Sequence, residues 1–88
     1  MDGKGVTLTQ SDYRVLLETL RERVTEHWDD DKPGVQLELA RFLNMIERDL
    51  PREVPIQTSL IVARSLIVLG QPLYALERAE RVLFDARA

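Results

Sequence analysis

Ile56-Gln-Thr-Ser-Leu-Ile-Val-Ala-Arg-Ser-Leu-Ile-Val-Leu69 is the stretch whose reading decides the fold. The tetrapeptide Ser-Leu-Ile-Val occurs in it twice, at 59–62 and 65–68, and the β-branched residues of both copies suit a strand. A helix is the preferred reading. The run is long for a strand, it does not alternate apolar with polar, and no second strong strand candidate lies elsewhere in the chain to pair with it. As a helix it would be apolar nearly all round, broken only by Gln57, Thr58, Ser59, Arg64 and Ser65. That pattern predicts a central element covered on more than one side.

C-terminal to this run, Gly70 is a natural helix C-cap and Pro72 is tolerated in a first turn. Leu76, Ala79, Leu83 and Ala86 then trace the apolar face of a last helix, with Glu77, Arg78, Arg81 and Asp85 on its other side. N-terminal to the run, Pro51-Arg-Glu-Val-Pro55 is a loop that ends a helix over Val35 to Leu50, whose stripe is Val35, Leu39, Phe42, Leu43, Ile46 and Leu50. Leu37, Ala40 and Met45 fall off that stripe.

Asp29-Asp-Asp-Lys-Pro-Gly34 reads as a turn, because three like charges meet the unfavourable end of the preceding helix dipole and Pro-Gly punctuates the chain. The helix before it starts at Thr9. Thr9 and Asp12 fit a variant capping box, Leu8 and Tyr13 a hydrophobic staple, and Tyr13, Leu16, Leu17, Leu20, Val24 and Trp28 recur at helical spacing. Residues 1–8 have no apolar period and read as a loose arm, leaving 9–88 as one helical domain. The expectation is an all-α fold of four helices in two antiparallel hairpins.

Composition bounds the function classes. The chain has 88 residues, 44% of them apolar and 31% charged, so one small globular domain is the most it can form. Fifteen acids against twelve bases give a net charge of -3, which argues against phosphate-driven nucleic-acid binding. There are no cysteines, hence no disulfide scaffold and no thiolate zinc site, in keeping with a cytoplasmic protein. The apolar runs Leu60–Ala63 and Leu66–Leu69 are too short to span a bilayer, and the N-terminus lacks the pattern of a signal peptide.

No residue cluster carries a catalytic or cofactor signature, and the chain is read as a non-enzyme. The single histidine, His27, stands near a helix end beside Asp29–Asp31, where the dipole and solvent account for it. The three acids are adjacent, without the alternate spacing of a calcium loop. Ser59 and Ser65 sit in an apolar helix rather than in a nucleophile elbow. Arg64, a lone charge amid that helix, is expected at its rim, paired with Glu47 or Glu53, or else as a polar contact inside an interface.

Ala63-Arg-Ser-Leu-Ile-Val-Leu-Gly70-Gln-Pro-Leu-Tyr-Ala75 resembles the helical hairpin of the tetratricopeptide repeat, with a small residue in the first helix, Gly seven residues on and Ala five later. Ser59, Pro72, Ala79 and Val82 depart from that pattern, and no period near thirty-four residues links the two halves, so the resemblance is to a single hairpin within residues 56–86. It implies a protein-binding scaffold, similar to the small helical chaperones that mask aggregation-prone subunits of bacterial secretion systems. The residues themselves lead to a related expectation: a protein-interaction module that self-associates or holds a helical partner. Ile61, Arg64, Val68, Leu73 and Tyr74 are the candidate contacts, beside the turn at Gly70 and off the Leu76-Ala79-Leu83-Ala86 stripe. The alternative is a small acidic inhibitor, such as an antitoxin or immunity protein, that acts through the Asp29–Asp31 turn.

Overall fold

The computed structural model describes residues 8–85, and its element order is α1 (Gln10–His27), α2 (Lys32–Asp49), α3 (Val54–Val68) and α4 (Pro72–Phe84). The decisive stretch is helical, and no described residue lies in a strand. The protein is all-α.

Each helix end has a local cause. At the start of α1 the Thr9 hydroxyl accepts the Asp12 amide at 3.1 Å and the Asp12 carboxylate accepts the Thr9 amide at 3.0 Å, which completes the capping box. The sequence-based boundary of α2, at Val35, is three residues late. Asp31 is the N-cap and accepts the Gly34 amide at 3.3 Å, so Lys32, Pro33 and Gly34 form the first turn. Proline has no amide to lose there, and a Pro-Gly pair that reads as punctuation is helical in fact. The same correction applies to α3, which begins at Val54 rather than Ile56, with Pro55 in its first turn. At the other end of α2, Leu50 is extended (φ −102°, ψ 157°), as the residue before Pro51 must be.

The α3–α4 turn is a Schellman motif. Gly70 adopts φ +81°, its amide donates to the Ile67 carbonyl at 3.1 Å, and the Gln71 amide donates to the Leu66 carbonyl at 2.8 Å. A residue with a Cβ would be strained at this φ. Ala86, expected on the apolar stripe of α4, lies outside the described residues, as do residues 1–7 of the expected arm. Leu8, its last residue, packs against the core.

Short connections make sequence neighbours antiparallel. Tyr13 in the first turn of α1 donates its hydroxyl to Asp49 at the end of α2 (2.7 Å), and the Gln36 amide near the start of α2 donates to the Ile67 carbonyl near the end of α3 (3.4 Å). The bundle closes through α4: the Gln10 side chain reaches the Leu83 carbonyl at 3.4 Å. Helix α1 packs on α2 and α4, α3 packs on the same two, and no Cα of α1 comes within 8 Å of one in α3. Between them lie Leu17, Leu39, Leu43, Ile46, Leu60 and Leu76, all with 2% exposure or less.

That arrangement overturns one expectation. Helix α3 is covered on one side only, where Ser59, Leu60, Ala63 and Ile67 are buried. Its far side, with Val54, Ile61 and Val68, faces out. The physical reason is geometric: α1 lies diagonally across the core from α3, so α2 and α4 flank α3 and cover its inner half.

Candidate functional site

The outer face of α3 is an apolar stripe. Val54, Ile61 and Val68 recur every seven residues and stand 78%, 63% and 80% exposed, with the exposed Thr58 and Ser65 between them. Leu69, just before the turn at Gly70, is 71% exposed, and Leu73 and Tyr74 on the first turn of α4 are 51% and 62% exposed. The spacing follows from the helix itself. With 3.6 residues per turn, positions seven apart return to nearly the same face.

Two grooves flank the turn. One runs between α3 and α4, about 590 Å³, lined by Val62 and Leu66 on α3 and by Gln71, Tyr74, Glu77, Arg78 and Arg81. The other, about 370 Å³, lies where the end of α1 meets the turn; Val24, Thr25, Trp28 and Asp29 line it on one side and Gly70 to Tyr74 on the other. Tyr74 belongs to both, and so joins the groove to the cleft beside Trp28.

The structure brings four of the five candidate contacts into this region. Ile61 and Val68 share the outer stripe of α3, and Leu73 and Tyr74 share the cleft. Arg64 stands apart, turned towards α2, where its guanidinium donates to Glu47 at 2.7 Å and to Asn44 at 3.0 Å. The pairing with Glu47 is one of the two foreseen, and it holds the charge at the rim of the helix. Sequence reasoning missed Leu69, which it placed at the end of a covered helix, and gave no role to Val62, Leu66, Arg78 or Arg81. The heptad repeat of Val54, Ile61 and Val68 was the signal that could have located the outward stripe.

Of the acids between α1 and α2, Asp31 serves the fold. Asp31 caps α2 and accepts Arg23 at 2.8 Å, while Arg23 also donates to Glu38 at 3.1 Å. The Arg23 guanidinium, helped by the Gly34 amide, holds the Asp31 carboxyl below its ordinary value. Asp30 lies 3.2 Å from the His27 ring nitrogen Nδ1. Among the described residues no group of three or more metal-ligating side chains is placed to hold an ion.

One further polar contact is buried. Burial would by itself raise the Asp49 carboxyl, but hydrogen bonds from Tyr13, Arg48 and the Leu8 amide outweigh that and hold it below its ordinary value. The same burial, with the bond to Asp49, pushes the Tyr13 phenol well above its usual range, so it stays a donor. This pair ties α1 to α2.

No helix among the described residues is long and apolar enough to cross a membrane. Comparison with protein families, curated proteins and solved structures finds no match to this chain.

Proposed function

We propose that this chain is a non-enzymatic protein-interaction module, a small helical adaptor or chaperone that engages a partner through the outer face of its second hairpin. One observation carries the reading: Ile61, Val68, Leu69, Leu73 and Tyr74, five large apolar side chains within fourteen residues, are all more than half exposed. The fold does not need them there. None of the five belongs to the buried core, and a set of exposed apolar residues on both sides of one turn is what an interface requires. The resemblance to a tetratricopeptide hairpin supports the same reading, with Ala63 and Ala75 buried at the close approach of α3 and α4.

Without its partner such a face associates with itself. Sedimentation equilibrium at micromolar concentration is the test: the isolated chain should form a reversible oligomer and should bind an apolar fluorescent dye when diluted to monomer. A clean monomer with no dye binding would overturn the proposal. Association should persist in high salt, because apolar packing is not screened. Strong weakening by salt would instead favour electrostatic recognition through the Asp29–Asp31 turn.

A further inference from the structure

We infer that the partner element is an amphipathic helix with acidic residues along one flank, seated in the groove between α3 and α4. This inference rests on the interaction reading above and adds the chemistry of the occupant. Val62 and Leu66 of α3 and Tyr74 of α4 give the groove its apolar lining. Its α4 wall carries Arg78 and Arg81, with Glu77 as the single acid among the lining residues. Neither arginine makes an ion pair among the described residues, whereas Arg21, Arg23, Arg48 and Arg64 all do. Arg14, Arg41 and Arg52 likewise make no ion pair among the described residues, but none of them lines this groove. In a chain of net charge -3, the wall of the groove is locally cationic. The arginines stand one turn apart on α4, so they match carboxylates spaced one turn apart on a second helix.

The backbone argues for a helix rather than an extended strand. Both walls are helices whose amides and carbonyls are bonded within the helix, so the groove offers an extended chain no ladder of hydrogen bonds. A helix arrives with its own backbone satisfied and presents only side chains, apolar ones to Val62, Leu66 and Tyr74 and carboxylates to Arg78 and Arg81.

The test uses two alanine-based peptides of about 18 residues, long enough to hold a helix, with the same leucine face and either glutamates or lysines on the flank. Binding to the full chain is read by the fluorescence of Trp28, the only tryptophan, which lines the adjoining cleft. The glutamate peptide should bind at least about tenfold more tightly than the lysine peptide, and the double variant R78E/R81E should reverse that order. Arg81 is exposed and Arg78 half-buried on α4, and circular dichroism verifies that the variant is folded. Equal binding of the two peptides, or an unchanged order in the variant, would overturn the charge assignment while leaving the apolar face intact as an interface. Binding of neither peptide, at concentrations where the chain is monomeric and takes up apolar dye, would overturn the helical occupant. The oligomer seen by sedimentation would still decide the interaction reading separately.

Discussion

The two hairpins are held together by different physics. Between α1 and α2 specific polar contacts add to the apolar core: Arg23 bridges Glu38 and Asp31, Tyr13 bonds Asp49, and both helices have side-chain N-caps. Between α3 and α4 there is no ion pair among the described residues, neither N-cap has a side-chain bond, and the approach is made by Ala63, Ala75 and Ala79 around a glycine turn. The outward faces differ too. The first hairpin exposes Val15 and Leu37 singly, while the second exposes a run from Ile61 to Tyr74. The first hairpin has side-chain locks in addition to its apolar packing. The second is specified by close apolar packing on its inside and leaves apolar surface on its outside, which is where an interaction is to be sought.

The largest effect should come from the inner face of α3. Ile67→Glu puts a carboxylate among buried side chains at a site 6% exposed and should cost several kcal/mol, enough to unfold a domain of this size, as read by circular dichroism and thermal melting. Ala63 and Ala79 are fully buried, so Ala63→Leu should force α3 and α4 apart at a cost of about 1–3 kcal/mol. If Ala63→Leu were neutral in urea unfolding, the hairpin would not depend on close approach.

The polar locks of the first hairpin should be worth less than Ile67 and about as much as Ala63. Asp49→Asn loses a charged acceptor whose side chain is 6% exposed and should cost about 1–3 kcal/mol near neutral pH. The sign with pH follows from the lowered carboxyl. Its contribution is complete above the ordinary value of 3.8 and is lost as pH falls through the lower value of the folded state, so wild type and Asp49→Asn should converge in acid. A gap that stays constant between neutral pH and strong acid would contradict this account of the pair. The caps give the smallest effects. Thr9→Ala should cost about 1 kcal/mol, and Glu53→Ser, at an N-cap that is extended but lacks a side-chain bond, should gain about 0.5–1 kcal/mol.

Much of this was legible from residue order. The Thr9–Asp12 capping box, the stripes of α1 and α2 and the glycine C-cap at position 70 are local features, and local features are written in short segments. The helix starts at Lys32 and Val54 were not, because a proline in a first turn has the same appearance in sequence as a proline that breaks a helix. Nor was the coverage of α3. Its all-round apolar character says that it could be covered on both sides, but the number of neighbours is set by how the other helices close around it. Ile61 and Val68 were placed outward by their distance from the α4 stripe, whereas Arg78 and Arg81 read as an ordinary solvated face and acquire meaning only beside Val62 and Leu66.

Residues 67 and 68 are adjacent in the chain, one 6% and the other 80% exposed, and they offer the most direct test that the outer face of the second hairpin is an interface. The measurement is sedimentation equilibrium of Val68→Glu beside wild type, with helicity and melting recorded on the same samples. The account predicts that Val68→Glu is monomeric where wild type associates, with unchanged helicity and a melting temperature close to that of the dissociated wild type. Unfolding of Val68→Glu, as expected for Ile67→Glu, would show that position 68 belongs to the core. Association equal to that of wild type would show that this face holds nothing.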